Sequence, residues 1–166
     1  RYSIINPKAY ITDNILSYIQ LLEFFKNAKK IKLILYASSS SIYGEVNSNT
    51  SLSSLPQTNP ISVYSASKLS MELISHVYCH LYKKNIIGLR FFTVFGPWGR
   101  PDMSYFKFFN LFYQNKKIMI YNHGNHSRSF TYIDDLINNI FRIKNYYFKK
   151  NIKTESRVYN LGNPKT

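Results

Sequence analysis

The chain has very little cysteine and no long apolar run. Its one cysteine, Cys79, excludes a disulfide framework and fits a reducing compartment, so we expect a cytoplasmic protein. No apolar run approaches the roughly 20 residues that cross a bilayer, and no signal-peptide pattern opens the chain. We therefore expect no membrane partner.

Acidic residues are also scarce, since 8 Asp and Glu face 22 Lys and Arg for a net charge of +14. Such a charge can indicate a nucleic-acid or anionic membrane partner. Here the lysines are scattered among Asn, Ile, Tyr and Phe, and no RNA-recognition or zinc motif is present. We attribute the charge to the codon bias of an AT-rich genome and expect no nucleic-acid partner. A phosphate-bearing substrate is compatible with it.

Glycine is sparse as well, and the six glycines form no G-x-x-G-x-x-G or G-x-G-x-x-G turn. A dinucleotide-binding sheet needs such a turn between its first strand and helix, where backbone amides hold the pyrophosphate. An apolar content of 45% nevertheless indicates a globular chain rather than a disordered one.

Apolar periodicity predicts an α/β chain. The expected helices cover residues 10–28, 61–84, 104–115 and about a dozen residues that Asp134 caps; the expected strands cover 31–37, 85–92, 118–121, 129–132 and 158–161. This alternation predicts a parallel sheet with right-handed crossovers.

Tyr64 and Lys68 lie four residues apart on the second of these helices, which places a phenol and an ammonium on one face. A phenol is a poor base at neutral pH, but a neighbouring cation favours the phenolate. Such a pair can take a proton from a substrate hydroxyl if a hydride acceptor is near. With 15 tyrosines in the chain, this spacing alone fits an ordinary helix with a surface lysine equally well.

A run of four serines, Ser38 to Ser41, follows the strand predicted at 31–37. Open α/β sheets bind their ligands at the carboxyl ends of their strands, so this run is a candidate binding segment. A plain polar loop is the alternative interpretation.

Together, five segments resemble the extended short-chain dehydrogenase/reductase family, and within it the UDP-glucuronate 4-epimerases: Arg1–Ile4, Ala37–Gly44, the Tyr64/Lys68 pair, Arg90–Met103 and Arg128–Asp135. The resemblance implies the C-terminal part of a Rossmann-like, doubly wound parallel sheet plus part of a small substrate-binding domain. Residues 1–100 would form the catalytic half of the NAD-binding domain, and residues 101–166 the substrate-binding part, interleaved with the last Rossmann elements. In the family the glycine-rich turn lies upstream of the position of Arg1, so we expect the chain to be a fragment.

The resemblance further implies NAD-dependent 4-epimerisation of a nucleotide sugar by the full-length protein, through a 4-keto intermediate. UDP-glucuronate to UDP-galacturonate is the expected conversion, with another UDP-sugar 4-epimerase or an inactive truncated remnant as alternatives. Relatives commonly form homodimers through the helices that match 10–28 and the Tyr/Lys helix, so a homodimer is expected. The fragment alone is not expected to turn over substrate.

Family motifs assign the site residues position by position. They imply a catalytic set of Ser39, Tyr64 and Lys68, a cofactor set of Asn14, Ser38, Tyr64, Lys68 and Phe91, and a substrate set of Ser40, Ser41, Thr93, Arg100 and Arg128.

Two local features refine this assignment. The related 4,6-dehydratases carry Asp-Glu after the catalytic Ser or Thr, whereas this chain has Ser40 and Ser41, which cannot perform acid-base elimination at neutral pH. Ser129 replaces the Asp usual after the arginine of R-D-F-T-Y-I-D-D.

His76 and His80 have a zinc-like spacing but no third ligand nearby, so we expect no metal.

Overall fold

The computed structural model describes residues 2–45, 57–120, 122–125, 128–150, 152 and 154–163. The helices are α1 (Tyr2–Ile5), α2 (Pro7–Tyr10), a π-helical segment (Ile11–Leu16), α3 (Ser17–Phe25), α4 (Val63–Tyr82), α5 (Ser104–Tyr113) and α6 (Ile133–Lys149). The strands are β1 (Leu33–Ser39), β2 (Asn85–Phe91), β3 (Thr93–Phe95), β4 (Phe130–Tyr132) and β5 (Ser156–Leu161); short 3₁₀ turns occupy Ser40–Tyr43 and Asn122–Gly124.

The predicted parallel sheet is confirmed. β1, β2 and β5 form a three-stranded sheet in that order, with both pairs parallel. β3 pairs with β4 in a separate two-stranded parallel sheet. The chain therefore brings the carboxyl ends of β1, β2 and β5 to one edge of the main sheet, where such folds bind ligands.

Helices cover both faces of the main sheet. Tyr18, Leu22, Met71 and Cys79 of α3 and α4 pack with Tyr36 and Ile86 on one face. On the other face, Leu136 and Tyr147 of α6 pack with Ile87, Leu89 and Leu161. Each fully buried aliphatic side chain stabilises the fold by about 1.5–3 kcal/mol, so these two clusters hold the layers together.

The crossovers differ from the sequence-based expectation. The strand order runs in one direction from β1 through β2 to β5, yet α4 and α6 cover opposite faces. The two crossovers must therefore have opposite hands, so they are not both right-handed. The second connection passes through α5 and the small β3–β4 sheet before α6, which gives it the length to return on the other face.

Helix α4 begins and packs through serines. Ser62 is its N-cap, and reciprocal hydrogen bonds with Ser65 form a capping box. Ser65, Ser67 and Ser75 are fully buried, and the Ser67 hydroxyl accepts from Asn14 of the π-helical segment. The Ser75 hydroxyl donates to the Met71 carbonyl and also lies 2.7 Å from the Tyr18 hydroxyl, which joins α4 to α3.

Two residues of β2 explain how tightly the sheet is built. A Cβ on Gly88 would lie 2.6 Å from the Tyr36 hydroxyl oxygen, so only glycine leaves room for this ring. Burial raises the pKa of Tyr36 to about 12.

At the amino end of β2, the buried Asn85 amide donates to the carbonyls of Lys32 and Ile152 and accepts from the Glu155 N–H.

Three predicted elements differ in detail. Residues 118–120 are not a strand. Asp134 lies in the first turn of α6 rather than at its N-cap, which is Tyr132; there its charge favours the positive end of the helix dipole. The helix expected at 10–28 is interrupted by the π-helical segment and ends at Phe25.

Among the residues that the structure describes, no helix combines the length and the apolar character that a membrane span requires.

Candidate functional site

The serine run lies at the carboxyl end of β1. Ser38 and Ser39 are the last residues of the strand, and Ser40 begins the 3₁₀ turn that follows. The Ser39 hydroxyl oxygen accepts hydrogen bonds from the Ser41 N–H at 3.2 Å and the Ser41 hydroxyl at 2.9 Å. These bonds fix the position of Ser39 at the ligand-binding edge of the sheet.

Tyr64 and Lys68 lie on the first turns of α4, and Lys68 reaches back to β1. Its ammonium donates to the Ala37 carbonyl at 3.0 Å and lies 6.0 Å from the centre of the Tyr64 ring. Tyr64 in turn meets the Tyr10 ring edge to face, at 5.7 Å between ring centres. The ammonium therefore joins the Tyr64 phenol to the strand that ends in Ser39.

Asn14 and Phe91 flank this group. Asn14 lies in the π-helical segment, and its amide donates to the Ser67 hydroxyl at 2.9 Å, while that hydroxyl donates to the Tyr64 carbonyl. Phe91 pairs in register with Ser39 and packs on the α6 side of the sheet. π-Helical turns occur often at functional sites. Here the π-helical segment is hydrogen-bonded to α4 through Asn14 and Ser67, one helical turn after Tyr64.

The predicted substrate residues fall into two groups. Thr93 begins β3, and its backbone N–H donates to the Ser129 carbonyl. Because Ser129 directly follows Arg128 in the sequence, Thr93 lies beside the segment that carries Arg128. Arg100 is mostly exposed and binds both oxygens of Asp102 with its guanidinium; this pairing raises the Arg100 pKa above its ordinary value.

Sequence reasoning missed the most extensively bonded acid of this region. Glu72 is buried on α4, accepts from the Ser38 hydroxyl and forms an ion pair with Arg90. Arg90 also donates to Tyr43, whose hydroxyl donates to Asn160. The available signal was an acid two helical turns after Tyr64 in a chain with only 8 acids, together with an arginine inside an otherwise apolar strand.

Among the residues described, no group of three or more His, Cys, Asp and Glu side chains could hold a metal ion. His76 and His80 are both exposed on α4.

A parallel α/β sheet with a serine turn at its carboxyl edge and a Tyr-Lys helix packed on it is the arrangement that the sequence resemblance to short-chain dehydrogenases/reductases implied. Residues 1–162 match the NAD dependent epimerase/dehydratase family, and the chain belongs to that family.

Relatives and solved structures agree with this assignment. UDP-glucuronate 4-epimerase 3 of Arabidopsis thaliana is 42% identical over 174 residues, which cover 98% of this chain and 40% of that protein. UDP-glucuronic acid 4-epimerase from Bacillus cereus, solved with UDP-glucuronic acid and NAD, aligns with a TM-score of 0.79 at 36% identity, covering 92% of this chain and 46% of that one. UDP-N-acetylglucosamine 4-epimerase from Methanobrevibacter ruminantium M1, solved with UDP-N-acetylmuramic acid, aligns with a TM-score of 0.76 at 29% identity, covering 96% and 50%. The chain spans about half the length of the curated relatives it matches.

Burial at this edge makes a prediction for Lys68. Removal from water disfavours the ammonium and lowers the Lys68 pKa below the ordinary lysine value. After reductive ¹³C-methylation, one lysine resonance should therefore titrate at lower pH than the exposed lysines, and it should be missing in Lys68→Arg. A Lys68 midpoint at or above those of the exposed lysines would contradict this picture of a desolvated ammonium.

Proposed function

We propose that this chain carries the proton-transfer half of an NAD-dependent UDP-sugar 4-epimerase. The carrying observation is that Lys68, whose ammonium lies 6.0 Å from the centre of the Tyr64 ring, donates to the Ala37 carbonyl, two residues before Ser39 at the end of β1. The family membership and the epimerase names of the relatives support the reaction class.

Proton traffic is the task of the chain's own residues. Tyr64, as phenolate, takes the proton of the substrate C4 hydroxyl, and the Lys68 ammonium favours that ionised form. Two incoming hydrogen bonds from Ser41 occupy the acceptor positions of the Ser39 oxygen. Ser39 therefore acts as a donor toward the C4 oxygen and holds it between the strand end and Tyr64.

The residues present fit the nicotinamide side of NAD. A half-buried ammonium at the carboxyl edge of a parallel sheet supplies a donor for a ribose hydroxyl pair and the Tyr64 oxygen an acceptor, and Asn14 and Phe91 flank them. Ser38 remains a further predicted contact. When bound there, NAD would supply the hydride acceptor and donor that inversion at C4 requires.

UDP-glucuronate is the substrate we propose. Ser40, Ser41 and Thr93 offer short hydroxyls that suit a C6 carboxylate, and Arg100 and Arg128 supply guanidinium groups suited to a diphosphate. The 4-keto form of a uronic acid is a β-keto acid and loses CO₂ readily, so a grip on its carboxylate protects the product. UDP-galacturonate would be that product.

A second substrate class has its own support. The similarity to a UDP-N-acetylglucosamine 4-epimerase favours an N-acetylated UDP-sugar as the alternative. Competition between the two sugars for the same protein would decide, because only a uronic acid presents a carboxylate to Thr93.

The decisive assay uses the natural protein that contains this chain, purified from its source. We expect UDP-glucuronate to be converted to UDP-galacturonate, and Tyr64→Phe to lower kcat by about 100- to 10,000-fold, the range of one proton-transfer group. NMR of the sugar anomeric protons measures both. The matched control is Tyr113→Phe on α5, where an exposed hydroxyl is lost. Full activity in Tyr64→Phe would eliminate the proposed base.

Thr93 makes a prediction about product quality. Thr93→Val removes a hydroxyl at nearly constant volume, so the decarboxylated pentose by-product should rise by about tenfold, the equivalent of one hydrogen bond to a charged group of about 1.5 kcal/mol. Thr93→Ser, which keeps the hydroxyl, should retain the normal ratio. Mass spectrometry of the nucleotide sugars gives the ratio, and identical mixtures from both variants would refute the carboxylate grip.

A homodimer through α3 and α4 is also proposed. Leu73, Val77 and Leu81 form an exposed apolar stripe along α4, with Leu73 64% and Leu81 59% exposed, and Phe24 of α3 is exposed as well. Sedimentation equilibrium of the natural protein should give a dimer, and Leu73→Glu/Leu81→Glu a monomer, because the stripe would then carry buried charge. Phe141→Glu on α6 is the control. A dimer that survives the double substitution would rule out this interface.

A further inference from the structure

A row of polar side chains crosses the main sheet one residue before its carboxyl edge. Ser38 of β1 pairs in register with Arg90 of β2, and Arg90 pairs with Asn160 of β5. Successive residues of a strand point to opposite faces, so this row lies on the face that α4 covers, as Tyr36 does. Such a row inside a packed layer needs partners from the helix above it.

Glu72 supplies those partners. Its side chain is only 6% exposed, and its two oxygens accept from Arg90 Nε at 2.9 Å and Arg90 Nη2 at 2.6 Å. This two-point geometry fixes the plane of the carboxylate. The oxygen that binds Arg90 Nε also accepts from the Ser38 hydroxyl. Glu72 therefore holds β1 and β2 at the same time.

Tyr43 extends the row to the third strand. Its hydroxyl accepts from Arg90 and donates to Asn160 at 2.8 Å, and the guanidinium lies 5.0 Å from the centre of its ring. Tyr43 ends the 3₁₀ turn that starts at Ser40. The polar row therefore contacts both ends of the serine turn: Ser38 lies just before the turn, and Tyr43 is its last residue.

Ser39 lies in the chain between these two contact points, Ser38 and Tyr43. Ser38, directly before it, donates to Glu72, and the carbonyl of Ala37, two residues before it, accepts from Lys68; both partners lie on one face of α4. A shift of Ser38 moves Ser39 with it, because the two are adjacent in the chain. The position of Ser39 relative to Tyr64 is therefore set by the helix that carries Tyr64.

We propose that Glu72, oriented by Arg90, is a positioning residue that holds the serine turn in register with Tyr64 for proton transfer. The kinetic consequence rests on the proposed function; the local ordering of the turn does not. Misplacement of a reacting group by about 1 Å can cost on the order of 100-fold in rate.

The test uses the natural protein that contains this chain, in wild-type form and as Glu72→Gln, Arg90→Lys and Ser38→Ala. Glu155→Gln is the matched control, since Glu155 is also paired with an arginine, Arg157, but lies at the amino end of the sheet. Two quantities are measured: kcat and KM for UDP-glucuronate, and amide hydrogen exchange of the segment 38–43 compared with α6 and β5.

Glu72→Gln should lower kcat by about 10- to 100-fold with KM changed less than about threefold. It should also speed exchange in 38–43 by about tenfold or more beyond any change in α6 and β5, which report the overall loss of stability from the broken ion pair. Arg90→Lys keeps the charge but loses the fork, so its effect should be intermediate. Ser38→Ala should speed exchange in the same segment without disturbing the buried ion pair. Glu155→Gln should leave kcat and exchange in 38–43 unchanged.

Several results would overturn the proposal. The proposal fails if Glu72→Gln keeps the wild-type kcat and the wild-type exchange rates. It also fails if Glu72→Gln speeds exchange equally in 38–43, α6 and β5, because Glu72 would then have a merely structural role. If Glu72→Gln does not fold, unchanged exchange in Ser38→Ala rejects it. If the wild-type protein lacks epimerase activity, the proposed function fails on its own, and the exchange measurement still decides whether Glu72 orders the turn.

Discussion

A carboxylate buried under α4 is stable there because Arg90 binds both of its oxygens. Glu72 would be costly to bury alone, and removal of one partner from a buried pair commonly destabilises a protein by about 3–5 kcal/mol. Through Glu72, α4 is bonded to Ser38 of β1 and to Arg90 of β2, which lie side by side in the sheet. These contacts are made at the register Ser38–Arg90–Asn160, and they also reach the serine turn that follows Ser38.

The site is divided between rigid elements and a short turn. Tyr64 and Lys68 are carried by a helix of 20 residues that is capped at Ser62 and packed through small buried serines. Ser39 is the last residue of strand β1. Groups on such elements are held more precisely than groups on loops, which a proton transfer over a short distance requires. The Lys68 bond to the Ala37 carbonyl closes the gap between helix and strand.

The substrate side is built more loosely. Thr93 is anchored by its backbone to Ser129, whereas Arg100 lies at the surface with Asp102 as its partner. Exposed ion pairs of this kind contribute little to stability, so Arg100 can exchange Asp102 for a ligand phosphate at small cost. Under the proposed function, a firmly held proton-transfer group and adaptable binding groups would suit a reaction in which the keto sugar must turn over before it is reduced.

Local sequence patterns determined the parallel α/β layout, the helix that carries Tyr64 and Lys68, and the serines at the end of β1, because periodicity and chain order act over a few residues. The family motifs also marked Thr93, Arg100 and Arg128. The tertiary structure alone decided that α4 and α6 cover opposite faces, that residues 118–120 are not a strand, and that Glu72 reaches Arg90 and Ser38. These features depend on contacts between residues far apart in the chain; Ser38 and Glu72, for example, meet only when α4 folds back over β1.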